Sequence, residues 1–123
     1  MKIESISLKS SMEIKSYSLD FDVIGIDEAQ FFDKNILKVC QQLAFNGKRV
    51  LIAGLDKDYR GLPFGSMPQL MCEADYLDKL RAICVKCSRS ASYTKRISTE
   101  VDQVVIGELD KYEARCRKCF IDA

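Results

Sequence analysis

Histidine is absent from the 123 residues of this chain, so any general base has to be a carboxylate, a lysine, a tyrosine or a thiol. Charge of one sign is not in excess either. The formal net charge is +1, which argues against nucleic-acid or membrane-surface binding driven by bulk charge. No apolar run approaches the length of a membrane span, and the N-terminus lacks the charged-then-apolar layout of a signal peptide. Internal repeats and low-complexity stretches are lacking too. What remains is the profile of about one soluble globular domain, 47% hydrophobic and 30% charged, long enough to close a core without staples.

Cysteine, by contrast, is plentiful and patterned. Four of the six fall in two pairs, Cys84-Val85-Lys86-Cys87 and Cys116-Arg117-Lys118-Cys119. Thiolates at i and i+3 can face one ion because the turn between them curls around it, and two such turns close a tetrahedral shell with no open position. The expected metal is therefore a structural zinc rather than a catalytic one. Two disulfides, or thiols paired by chance, are the alternatives. The α/β character of the rest favours an intracellular, reducing setting with thiolates on metal. Cys40 and Cys72 fall in helix-like segments and read as plain buried thiols.

The hydrophobic pattern predicts an edge strand within Met1–Ser10 and a short helix over Met12–Leu19. A strand at Val23–Ile26, apolar on both faces, reads as one covered above and below. A helix capped by Asp33 follows, with Ile36, Leu37, Cys40, Leu43 and Ala44 at helical spacing, and Asn46-Gly47 stops it. Val50–Ala53 reads as a second strand, parallel to the first across one βαβ unit. Asp56–Gly65 is a loop, and Ser66 and Pro68 open another helix carrying Leu70, Met71 and Ala74. Leu80–Ile83, Ala91–Ile97 and Gln103–Ile106 read as strands, the last two a hairpin-like excursion between the cysteine pairs. Composition shifts near Ile83, dividing an α/β core (1–82) from a cysteine- and charge-rich lobe (83–123).

The first strand ends in Asp27-Glu28. An aspartate there can hold Mg²⁺ beside nucleotide phosphates, and the next carboxylate can accept a proton from an attacking hydroxyl. Many strands also end in a merely solvated acid. The C-terminal edge of a parallel sheet is nevertheless where such folds bind ligands. Leu55, Tyr59 and Phe64 follow the second strand and should lie at the same edge, either sandwiching a flat ring or forming a satellite apolar cluster.

Taken together, Val23-Ile24-Gly25-Ile26-Asp27-Glu28-Ala29-Gln30-Phe31-Phe32, Ala53-Gly54-Leu55-Asp56 and Pro63-Phe64-Gly65 resemble the type II thymidine kinases of eukaryotes, bacteria and large DNA viruses. Ala82–Cys87, Tyr93-Thr94-Lys95-Arg96, Val105-Ile106-Gly107, Asp110-Lys111-Tyr112 and Cys116–Phe120 extend the resemblance almost to the end. The second cysteine pair and the short tail look most like the viral members.

The resemblance implies a P-loop NTPase-like, RecA-type parallel sheet with a C-terminal zinc-binding lasso lobe. It also implies transfer of the γ-phosphate of ATP, with Mg²⁺, to the 5′-hydroxyl of thymidine. Asp27 would hold Mg²⁺ through water and Glu28 would be the general base, with Ala29 and Gln30 beside ATP and its metal. Gln30 and Phe31 would border the nucleoside, Tyr59 would stack on the thymine, and Leu55 and Phe64 would line its site. Thr94, Gln103, Val104, Val105, Ile106, Gly107 and Tyr112 match the lasso that holds the base largely by main-chain hydrogen bonds. Cys84, Cys87, Cys116 and Cys119 match the zinc site that anchors it. Implied as well are a homotetramer, feedback inhibition by dTTP, a cytoplasmic setting, and no membrane or nucleic-acid partner.

One departure is plain: no G-x-x-x-x-G-K-[ST] occurs in the chain. In the resembled family that phosphate loop lies N-terminal to the matched region, and with it go the N–H cradle and the phosphate-binding lysine. The expectation is a truncated chain with little kinase activity alone and a sheet that exposes apolar surface. A zinc-ribbon module binding nucleic acid through Arg81, Lys86, Arg89, Lys95, Arg96, Arg115, Arg117 and Lys118, or an inactive regulatory homologue, are the alternatives.

Overall fold

The computed structural model describes residues 3–97 and 111–122. It is mixed α/β and divides into two compact units, one formed by residues 1–55 with 65–74, the other by 56–64 with 75–123. The aromatic loop after the second strand thus groups with the cysteine-bearing residues.

In the first unit, α1 (Glu13–Tyr17) precedes β1 (Val23–Ile26). A 3-10 turn (Ala29–Phe31) leads to α2 (Ile36–Phe45), then β2 (Arg49–Ile52) and α3 (Met67–Glu73). The two strands pair in parallel, Val23 opposite Arg49 through Ile26 opposite Ile52, as the βαβ reading required. Helix α2 forms where apolar residues recur at i, i+3, i+4 and i+7: Ile36, Val39, Cys40 and Leu43 are all buried. They pack with Ile14, Ile26, Ala29, Met67 and Leu70 into the unit's core. The helix ends in a Schellman motif. Gly47, at φ +84°, donates to the Ala44 carbonyl, and Lys48 donates to that of Leu43.

Several expectations are corrected. No strand forms among residues 3–10. Asp33 does not sit at the cap position itself, which Asn35 occupies without a side-chain bond. Its carboxylate instead accepts the Ser11 N–H and hydroxyl at 2.8 and 2.9 Å, and the Asn35 N–H at 3.2 Å. Among the described residues the sheet is covered on one face, where a strand covered above and below was expected. Ile24, Ile26 and Val50 turn toward the core, while Val23 and Leu51 stay about half exposed, at 55% and 50%. The apolar surface expected of this sheet is therefore present. Cys40 is buried, and burial pushes its thiol up to about 11, whereas Cys72 is exposed.

In the second unit the expected strand at Leu80–Ile83 shortens to β3 (Ala82–Ile83), antiparallel to β4 (Ser90–Ala91). Then β5 (Tyr93–Arg96) pairs antiparallel with β6 (Tyr112–Arg115), Arg96 opposite Tyr112, and α4 (Arg117–Ile121) follows. Neither β6 nor α4 was anticipated. The strand expected at Gln103–Ile106 lies outside the described residues. No helix among the described residues is long and apolar enough to cross a membrane.

Candidate active site and metal centre

The end of β1 turns sharply. Glu28 takes the left-handed conformation, φ 51° and ψ 44°, which non-glycine residues adopt rarely and at a cost. Two hydrogen bonds hold it there. Asp27 Oδ1 accepts the Glu28 N–H at 2.8 Å, and Gln30 Nε2 donates to Glu28 Oε2 at 2.7 Å. Both carboxylates are exposed, while Ala29 and Gln30 directly after them are buried. The elbow thus presents two acids to solvent from a fixed backbone. Beside it, a shallow groove of about 290 Å³ is lined by Gly25, Ile26, Asp27, Leu51, Ile52 and Ala53. Phe31 is largely exposed and Leu55 about half so.

In the second unit, loop 56–64 is organised by Asp58, a residue the sequence reading overlooked. The residue is 2% exposed, and its carboxylate accepts the backbone N–H groups of Arg60 and Leu62 at 2.9 and 3.1 Å, and the Arg60 guanidinium at 3.0 Å. Gly61, at φ +78°, donates to the Asp58 carbonyl. Aspartate three residues before a glycine is a turn signal that could have drawn attention to it. The loop presents Tyr59, part-buried, while Phe64 is buried. Arg96 also went unremarked as an organiser. Its guanidinium lies 3.6 Å from the centroid of the Tyr59 ring and donates to the Tyr112 hydroxyl at 3.0 Å. Thr94 lies on β5 opposite Ala114. Gln103, Val104, Val105, Ile106 and Gly107 fall outside the described residues.

The four paired cysteines converge. Their sulfurs all lie within 4.8 Å of one another. Each pair is shaped by its backbone. Ser88, at φ 62°, donates its N–H to the Cys84 carbonyl, and Cys84 donates to that of Arg89. Cys116 caps α4, its sulfur accepting the Cys119 N–H at 3.4 Å. Arg115, buried, donates to the Cys119 carbonyl at 3.1 Å and pairs with Glu113.

A tetrahedral zinc with Zn–S bonds near 2.3 Å sets its ligand sulfurs about 3.8 Å apart, and this cluster has that scale. The Cys87 and Cys116 sulfurs are 3.5 Å apart, far beyond a bonded pair at about 2.0 Å, and all six cysteines are free thiols. Burial pushes the Cys84 thiol up, but backbone N–H groups of Cys116, Cys87 and Lys86 outweigh it and bring it down to about 6. The Cys119 N–H likewise lowers Cys116, whereas the Cys116 sulfur beside it pushes the Cys119 thiol up to about 12. Donors aimed at sulfur favour thiolate, the form that binds a metal.

Comparison with known proteins identifies the family. The family profile described as thymidine kinase matches residues 1–120. The thymidine kinase of Bacteroides fragilis is 50% identical over 118 residues, covering 96% of this chain and 59% of the relative. That of Bacteroides thetaiotaomicron is 50% identical over 121 residues, 98% of this chain and 61% of the relative. That of a Rhodothermus species is 48% identical over 118 residues, 96% of this chain and 55% of the relative. The chain therefore spans about three fifths of the length of the curated relatives it matches. With half its residues shared along nearly its whole extent, the chain belongs to the thymidine kinase family.

Proposed function

We propose that the protein takes part in the ATP-dependent phosphorylation of the thymidine 5′-hydroxyl to give thymidine monophosphate. The observation that carries this reading is the left-handed elbow that presents Asp27 and Glu28 to solvent, in a chain of the thymidine kinase family. Glu28 would accept the proton of the attacking hydroxyl, whose oxygen bonds the γ-phosphorus as the bond from that phosphorus to the β,γ-bridging oxygen breaks and ADP leaves. Asp27 would hold Mg²⁺, which supplies charge neutralisation at the phosphates when bound. Its Oδ1 already accepts the Glu28 N–H, a bond that restricts the rotamers of the carboxylate. Ala29 and Gln30 would lie by the nucleotide.

Phe31, Leu55, Tyr59 and Phe64 would border the nucleoside, Tyr59 offering an aromatic face. Thr94, Gln103–Gly107 and Tyr112 would hold the base by main-chain groups. The four cysteines would hold a structural zinc, whose part is to fix the two cysteine turns. We also place the sheet in a P-loop NTPase-like fold, the protein in the cytoplasm, and the assembly as a tetramer inhibited by dTTP. These rest on the family alone.

Positioning and charge stabilisation are nearly all that a protein supplies to phosphoryl transfer, and this sequence holds no phosphate-loop motif. The 123 residues alone should therefore turn over little or no thymidine with ATP and Mg²⁺. A polypeptide of the relatives' full length that contains them should do so readily. Robust turnover by the 123 residues alone, or none by the longer polypeptide, would contradict the reading.

A further inference from the structure

Gln30 is 3% exposed, and an amide is a costly group to bury unless both its ends are satisfied. Here they are. Nε2 donates to Glu28 Oε2 at 2.7 Å, and Oε1 accepts the Leu55 N–H at 3.1 Å. One partner can only accept and the other can only donate, so the amide has one workable orientation. The surrounding backbone is cut to fit it. A Cβ on Gly54 would lie 2.7 Å from Gln30 Oε1, and one on Gly65 would lie 2.5 Å from the Gln30 carbonyl oxygen. An apolar side chain would fill this place more simply if filling it were the whole task.

We propose that Gln30 is a positioning residue for Glu28, its amide tying the candidate base to the first residues after β2. The proposal rests on the reading of Glu28 as the base. An exposed glutamate ordinarily samples many rotamers. The amide restricts this one to the rotamers that keep Oε2 on Nε2, and the Leu55 N–H stops the amide itself from turning. With the Asp27 bond to its N–H, Glu28 is held from both sides of a backbone conformation that would otherwise relax.

The test uses side-chain nuclear magnetic resonance on the chain, with Glu28→Ala and the near-isosteric Gln30→Met. Glu28→Ala is expected to shift the Gln30 side-chain amide protons and speed their exchange with water at least about tenfold, as befits loss of a bond to a charged acceptor. Gln30→Met is expected to shift the Glu28 carboxylate carbon and lower the order of its side chain, leaving the signals of α2 in place. Gln30 amide protons indifferent to Glu28→Ala would overturn the proposal.

In a full-length polypeptide that phosphorylates thymidine, Gln30→Met should lower kcat about tenfold with KM for thymidine unchanged, and add nothing to a Glu28→Gln background. An unchanged kcat would overturn the positioning role and spare the kinase reading. Absence of turnover in the unsubstituted full-length polypeptide would overturn the kinase reading instead, and the spectra would still decide the contact.

Discussion

The Arg96 guanidinium lies 3.6 Å from the centre of the Tyr59 ring while it donates to the Tyr112 hydroxyl at 3.0 Å. One buried cation thus joins the aromatic loop to the β5–β6 ribbon. Arg96→Ala removes a partly desolvated cation–π contact and a hydrogen bond, and should destabilise the chain by roughly 2–3 kcal/mol. Arg96→Lys should recover only part of that, because an ammonium cannot both stack and donate in the same fork. Urea unfolding of the three proteins checks the order.

Metal loss should be specific to the paired cysteines. The purified chain is expected to carry one zinc per molecule by elemental analysis, and Cys84→Ser should abolish it. Cys72→Ser, at an exposed position away from the cluster, should leave both metal and stability unchanged. A strong chelator should loosen the cysteine-bearing unit, seen as faster amide exchange at Cys84, Val85 and Cys119.

The Asp33 carboxyl is held below the usual carboxylate range, first by the Ser11 N–H and then by the Ser11 hydroxyl. The sign follows from linkage. A lowered folded-state value contributes stability that is present above the unfolded value and is lost as pH falls through the folded one. Stability should therefore decline on acidification below about pH 4, and less steeply in Asp33→Asn, which has nothing there to protonate. Denaturant midpoints at intervals from pH 7 to pH 2 measure this.

Two glycines give opposite expectations. Gly65 has φ +53°, and an added Cβ would lie 2.5 Å from the Gln30 carbonyl oxygen, a backbone atom that cannot swing away. Gly65→Ala should cost more than about 2 kcal/mol. Gly25 has open space where its Cβ would be, and Gly25→Ala should stay within about 0.5 kcal/mol in this chain. Thermal unfolding of both variants is sufficient.

What could be read beforehand was what local patterns encode. Spacing of Ile36, Val39, Cys40 and Leu43 gives a helix of the right face, Asn46-Gly47 gives its stop, and Cys-x-x-Cys twice gives a convergent cluster. The parallel pairing followed from one βαβ crossover. What escaped depends on partners distant in sequence. The Asp33 carboxylate is claimed by Ser11, twenty-two residues earlier. Strand β6 exists because Tyr112–Arg115 meets Tyr93–Arg96, a pairing that no period within either segment announces. The apolar run at Val23–Ile26 could not tell one covered face from two, since that is decided by what packs on each side. The acidic pair was legible as two carboxylates. The left-handed turn at Glu28 and its tie to Gln30 were not, because the Gln30 amide is oriented by the Leu55 N–H, twenty-five residues later.

The most direct measurement is transfer of labelled γ-phosphate from ATP to thymidine, in a polypeptide of the relatives' full length that contains these residues, with glutamate and with glutamine at position 28. Removing a positioned general base costs on the order of 10²–10⁴ in rate. Thymidine monophosphate formed by the unsubstituted protein, with a loss of at least about a hundredfold in Glu28→Gln, is the expected result. Equal rates from the two proteins would contradict the account.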